Sequence, residues 1–133
     1  MSQRHPALFI TSSPLHGRGV FAAMDIEPGE IIEICPALVL PIAQQELIDK
    51  TDLYNYYFMW SDDETSIALI LGYGSIYNHS YKPNAEFEPD YENNTLSVFC
   101  YKKIEAGDEI TFNYNGNPES QKPVWFDKVN NQK

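Results

Sequence analysis

Gly107-Asp108-Glu109-Ile110-Thr111-Phe112-Asn113-Tyr114-Asn115-Gly116 reads as a turn, a strand and a second turn. Glu109 to Tyr114 alternates at period two, the spacing of a strand with one buried face, and Asn115-Gly116 closes it with turn residues. A strand ending in tyrosine just before Asn-Gly sets a phenol at a sheet edge beside a reversal. Taken alone, Tyr114 fits an ordinary edge aromatic as well as a functional one.

The start of this stretch occurs twice. Val20-Phe21-(four residues)-Ile26-Glu27-Pro28-Gly29-Glu30-Ile31-Ile32 recurs as Val98-Phe99-(four residues)-Ile104-Glu105-Ala106-Gly107-Asp108-Glu109-Ile110. Gly29 and Gly107 suit the positive φ of a tight reversal. The repeat predicts two copies of one strand-turn-strand unit, hairpins packed within a compact β domain; two copies are too few for a solenoid.

Outward from these units the pattern stays β. Ala7 to Ile10, Leu53 to Trp60, Thr65 to Leu71 and Leu96 to Tyr101 read as further strands, and Ala43 to Lys50, after Pro41, as a short helix. No linker or low-complexity run divides residues 1–133, which predicts one mainly β domain. The chain has 133 residues, 43% of them hydrophobic, enough for one modest core. No apolar run reaches the roughly 18 residues of a membrane span, and Met1 to Pro6 lacks the layout of a signal peptide. An intracellular, soluble protein is the expectation, with no membrane partner. Cys35 and Cys100, with no CxxC, cannot form a four-thiolate zinc site and read as small core residues, so no metal is expected. A net charge of −10 disfavours direct nucleic-acid binding and favours a cationic protein partner, although acidity also serves solubility alone.

Two further segments carry possible chemistry. Gly17-Arg18-Gly19 allows close approach of backbone to a ligand, or simply makes a hairpin turn; the phosphate-cradle glycine patterns are absent. Tyr77-Asn78-His79-Ser80-Tyr81-Lys82-Pro83-Asn84 gathers short hydrogen-bonding side chains after Gly72-Tyr73-Gly74, either around a ligand or to satisfy a bend.

In this order, G-x-G-V-F-A (from Gly17), N-H-S-x-x-P-N (from Asn78) and G-D-E-I-T-F-x-Y (from Gly107) resemble the SET-domain protein lysine methyltransferases. The resemblance covers roughly Leu8 to Asn115, and the compact chain is similar to the minimal stand-alone SET proteins of viruses and bacteria. It implies a mainly β SET-domain (β-clip) fold of short strands with a C-terminal pseudoknot and little helix. The core would run from about 8 to 115, and 116–133 would form a tail. It also implies S-adenosyl-L-methionine as cofactor and a lysine on a basic protein, such as a histone or histone-like tail, as substrate. Arg18 and Gly19 would contribute backbone contacts to the methionine end of the cofactor, with Gly17 enabling the turn, and Asn78 and His79 would hold its amino and adenine ends. Tyr114 would be the catalytic residue where cofactor and lysine sites join.

Tyr56 and Tyr73 are candidates for the walls of a lysine channel, with core packing the equal alternative. Departures from the family pattern are Tyr81 in place of a common cysteine, the lack of a frequent arginine before Asn78, and the lack of a cysteine-rich zinc module after Tyr114. The tail from Gln121 to Phe126 would cover the cofactor with Trp125 or Phe126, or those aromatics would pin the tail to the core. The acidic Ser61 to Glu64 and Glu86 to Asp90 would read a basic peptide or be merely solvated. The resemblance to minimal relatives also implies a homodimer, in which a second copy would complete a substrate groove. The alternative function is a SET-like binding module for basic peptides that has lost catalysis.

Overall fold

The computed structural model of the protein describes residues 3–124. Its strands are β1 (Gln3–Arg4), β2 (Leu8–Ser12), β3 (Arg18–Ala22), β4 (Ile31–Pro41), β5 (Tyr57–Met59), β6 (Ser66–Ile70), β7 (Asn78–His79), β8 (Ala85–Asp90), β9 (Thr95–Cys100) and β10 (Glu109–Phe112), with one short helix, α1 (Gln45–Ile48). One sheet runs β5-β6-β4-β9-β8 with β1 added on β4, and a second runs β2-β3-β10-β7. The fold is mainly β, as the residue pattern predicts.

The two repeat units do not close into separate hairpins, which corrects the sequence reading. Each exchanges its second strand with the other unit. β10 follows Gly107 but pairs with β3, while β4 follows Gly29 but pairs with β9. The hydrogen bonds are reciprocal. The Gly29 N–H donates to the Cys100 carbonyl and that of Gly107 to the Ala22 carbonyl. Likewise Ala22 donates to Asp108 and Cys100 to Glu30, while Ile26 and Ile104 bond each other in both directions. The equivalent apolar residues of the two units (Val20 with Val98, Ile26 with Ile104, Ile32 with Ile110) meet in one buried cluster. Burying each such side chain contributes about 1.5–3 kcal/mol, so the exchange forms the centre of the core. Each unit also folds its own turn the same way, with a carboxylate accepting from the turn backbone, Glu30 from Glu27 and Asp108 from Glu105.

Gly107 has φ of +94° and Gly29 of +90°, and a methyl group at either position would meet open space. Only the backbone conformation therefore resists substitution. Gly107→Ala should lower unfolding free energy by about 1–2 kcal/mol, with Gly107→Asn costing less, as read from urea denaturation.

One other expectation needs correction. Of Leu53 to Trp60, only Tyr57–Met59 is strand. Asp52–Asn55 forms a 3₁₀ turn because the Thr51 hydroxyl accepts from the Leu53 N–H and caps it. The acidic Glu86 to Asp90 run is itself strand β8, with Ala85, Phe87 and Pro89 on the inner side and Glu86, Glu88 and Asp90 alternating with them. Pro89 is tolerated because β8 is an edge strand. Cys35 and Cys100 are buried free thiols. Among the described residues no helix is long and apolar enough to cross a membrane.

Candidate active site

The second sheet brings the separated motifs together. Asn78 and His79 form β7, which lies parallel to β10 with Asn78 opposite Thr111 and His79 opposite Phe112. β10 in turn pairs with β3, which carries Arg18 and Gly19. A strand as short as β7 needs outside support, and Asn84 supplies some. Its amide donates to the Glu109 carbonyl at 2.8 Å and accepts the Thr111 N–H at 2.9 Å, acting as a strand partner in side-chain form.

Asn78 is buried, and its amide nitrogen lies 3.0 Å from the His16 carbonyl, 3.1 Å from that of Arg18 and 2.8 Å from Glu109 Oε2. Ser13 completes the cluster by donating its hydroxyl to Glu109 Oε1 at 2.6 Å, while its oxygen accepts the Leu15 N–H. The Glu109 carboxylate thus ties the Ser13-to-Gly19 turn to Asn78. It also fills the space a side chain at position 19 would need: a methyl group there would collide with a Glu109 oxygen and lie 3.0 Å from the Asn78 amide. Gly17 sits at the outer end of this turn with φ of +48°, and Arg18 is exposed.

Tyr114 leaves the sheet just after β10. Its N–H donates to His79 Nδ1 at 3.0 Å, which places the His79 ring proton on Nε2, and the two rings lie 5.2 Å apart. Its hydroxyl donates to the Tyr77 carbonyl at 2.6 Å. Burial, then the nearby Glu109 charge, raises the phenol pKa above the usual tyrosine value. Tyr114 is therefore a neutral hydrogen-bond donor at physiological pH, not a tyrosinate base.

The same tyrosine lines an open cleft of about 470 Å³ on the other side, walled by Tyr56, Phe58, Trp60, Phe87 and Tyr91. Phe58 packs edge-on to Phe87 at 5.6 Å and to Tyr114 at 6.2 Å. Tyr56 thus stands on the cleft. Tyr73 does not: its ring lies 3.9 Å under the Arg4 guanidinium and its N–H donates to Glu33. Phe87, on the wall, escaped the sequence reading because its segment was read only for its acidic charge. The period-two alternation of residues 85–90 was the signal for it.

After Tyr114 the chain turns back. Lys122's carbonyl accepts from Tyr81 at 3.0 Å and from Asn115 at 2.7 Å, and Val124 is buried. Trp125 lies outside the described residues. Among the described residues, no group of three or more His, Cys, Asp or Glu is placed to hold a metal ion.

Comparison with known proteins agrees with this geometry. The SET domain family model matches residues 17–115. A histone-lysine N-methyltransferase of Schizosaccharomyces pombe, specific for H3 lysine-37, is 31% identical over 121 residues, which span 90% of this chain and 77% of that protein. A crystal structure of a Plasmodium falciparum protein assigned as a histone methyltransferase is 30% identical with a TM-score of 0.63, covering 93% of this chain and 98% of that one. A structure of ctPRC2 bound to S-adenosylmethionine shares the fold at a TM-score of 0.70 with 24% identity, over 95% of this chain and 17% of that chain. Six further curated relatives are far longer, and the chain spans between 3% and 14% of their length.

Proposed function

The chain belongs to the SET-domain family of S-adenosylmethionine-dependent protein-lysine methyltransferases, and from this premise we propose that it methylates a lysine within a basic, histone-like protein segment, with Tyr114 at the junction of cofactor and substrate sites. The observation that carries this reading is the position of Tyr114. Its backbone N–H bonds His79 and its hydroxyl bonds the Tyr77 carbonyl next to Asn78, while its ring lines an aromatic cleft.

The residues on the motif side fit S-adenosylmethionine by their chemistry. The His16 and Arg18 carbonyls and the Glu109 carboxylate converge on the Asn78 amide nitrogen, which holds Asn78 against the turn so that its amide oxygen, an acceptor suited to an ammonium, stands beside Gly17 to Gly19. The exposed Arg18 side chain suits a carboxylate, with Gly17 and Gly19 keeping the turn close. The His79 ring, with Tyr81 edge-on at 4.4 Å, offers a flat contact for adenine. When bound, that cofactor supplies a methyl group made electrophilic by a sulfonium.

The remaining work falls to this chain. A lysine is an ammonium at neutral pH and must shed a proton before it can act as a nucleophile. The Tyr56, Phe58 and Phe87 walls strip water from it, which disfavours its charged form and lowers its pKa; the proton leaves to solvent through the open mouth of the cleft. The same rings tolerate a cation that grows less hydrated as methyl groups are added. Tyr114 and the Tyr77 carbonyl set oxygen atoms beside the point of transfer, where weak C–H···O contacts orient a methyl group. Tyr73 is left to packing. The net charge of −10 matches a cationic substrate.

Incubation with S-adenosylmethionine and a lysine-rich histone peptide tests the reading. Mass spectrometry should show peptide mass rising by whole methyl groups on lysine. Calorimetric binding of the peptide, with neither methylation nor cofactor heat, would instead mark a peptide-binding module.

A further inference from the structure

Glu33 is a buried carboxylate near the start of β4 that the chemistry above does not use. It is nevertheless fully engaged. Its Oε1 accepts the Tyr77 hydroxyl at 2.8 Å, and its Oε2 accepts the Tyr73 N–H at 3.1 Å and Arg4 Nε at 3.0 Å. Burying a carboxylate is unfavourable unless every lone pair finds a partner, and an apolar residue of similar volume commonly serves stability as well or better. A satisfied network of this kind does, however, fix one arrangement of the groups it joins.

The group it fixes lies beside Tyr114. Tyr77 is buried, with its ring 5.3 Å from that of Phe112, and its phenol reaches Glu33 while its carbonyl accepts the Tyr114 hydroxyl. The peptide plane carrying that carbonyl runs from Tyr77 to Asn78. Glu33 anchors the Tyr77 end through the phenol, and Glu109 anchors the Asn78 end through the amide. Two carboxylates on different strands thus hold one carbonyl in place.

We propose that Glu33 is a positioning residue for methyl transfer, acting through the Tyr77 side chain to aim the Tyr77 carbonyl, and with it the Tyr114 hydroxyl, at the reacting centre. This rests on the role given to Tyr114 above. Glu33 touches neither cofactor nor substrate, so its loss should appear in turnover and not in binding.

The test compares Tyr77→Phe, which keeps the ring and removes only the link to Glu33, with Glu33→Gln and the double variant. For each, kcat, KM for S-adenosylmethionine and for peptide, and Tm are measured. Displacing a reacting group by a fraction of an ångström to an ångström slows turnover by roughly tenfold to a hundredfold. That loss is expected in kcat for Tyr77→Phe, with both KM values within about twofold. The double variant should lose no more kcat than the worse single, because the two residues act as one unit. If Tyr77→Phe does not fold, Arg4→Met, which keeps apolar cover over Tyr73 and removes Glu33's charged partner, is read by the same criteria.

Unchanged kcat in a folded variant overturns the proposal, as does a loss that only follows the folded fraction or enters through KM. Tyr114→Phe run alongside separates the two readings. Full activity there removes the premise, whereas an inactive Tyr114→Phe beside a fully active Tyr77→Phe removes only the role of Glu33.

Discussion

Tyr114→Phe should fold, bind S-adenosylmethionine and transfer methyl groups roughly a hundredfold or more slowly, the scale of losing one oriented polar group at a reacting centre. The substitution removes a single oxygen. The ring keeps its neighbours: His79 at 5.2 Å, Phe112 at 5.9 Å and Phe58 at 6.2 Å. The backbone bond to His79 is untouched. What disappears is the hydroxyl that the Tyr77 carbonyl accepts, and a lost buried partner lowers stability by about 1–3 kcal/mol.

The phenol's raised pKa, set first by burial and then by Glu109, gives the prediction a pH dimension. A raised value keeps the hydroxyl neutral through the range in which lysine begins to deprotonate. Any increase of rate with pH therefore belongs to the substrate amine, and the residual activity of Tyr114→Phe should rise with pH along the same curve. Single-turnover rates across pH, with calorimetry for the cofactor and Tm for the fold, check each part. Wild-type turnover in the variant would remove Tyr114 from the chemistry.

Gly19→Ala should be the most damaging change at the cofactor side. The added methyl would overlap the Glu109 carboxylate, whose carbon would lie 2.9 Å away, and crowd the Asn78 amide. Glu109 cannot swing aside without releasing both Ser13 and Asn78. Overpacking of this kind costs about 1–3 kcal/mol, and the disturbed turn should weaken S-adenosylmethionine binding by at least about tenfold, or 1.4 kcal/mol. The mechanism predicts partial relief: Gly19→Ala combined with Glu109→Ala should recover part of the lost Tm, since the clash is with that side chain. Additive losses would show that the glycine matters for some other reason. Differential scanning fluorimetry and calorimetry on the three variants decide between them.

Local pattern made the strands legible but not their partners. Period-two alternation and turn glycines mark both repeat units, yet nothing within either unit says that its second strand will pair with the other, about eighty residues away. That choice follows from how two apolar faces bury most area together, a property of the assembled core. Glu33 was hidden for a different reason. Strict alternation would turn it outward beside the buried Ile32, but a β-bulge between Ile31 and Glu33 shifts the register and sends it inward. Its partner Tyr77 looked like one more aromatic before Asn78.

At the site, order and spacing of short motifs were enough to gather Gly19, Asn78, His79 and Tyr114. Tyr56 reached the cleft, while the similar Tyr73 went to Arg4 instead. Two tyrosines of equal hydrophobicity differ here only in which neighbour lies within reach, and sequence does not record that.

In the mechanism proposed for this chain, cofactor and lysine approach Tyr114 from opposite sides. A crystal structure of the protein with S-adenosylhomocysteine and a lysine peptide tests it most directly. The nucleoside should lie against Gly19, Asn78 and His79, the peptide lysine between Tyr56 and Phe87, and the two should meet beside the Tyr114 hydroxyl. Nucleoside bound in the aromatic cleft, or a lysine amine held away from Tyr114, would contradict it.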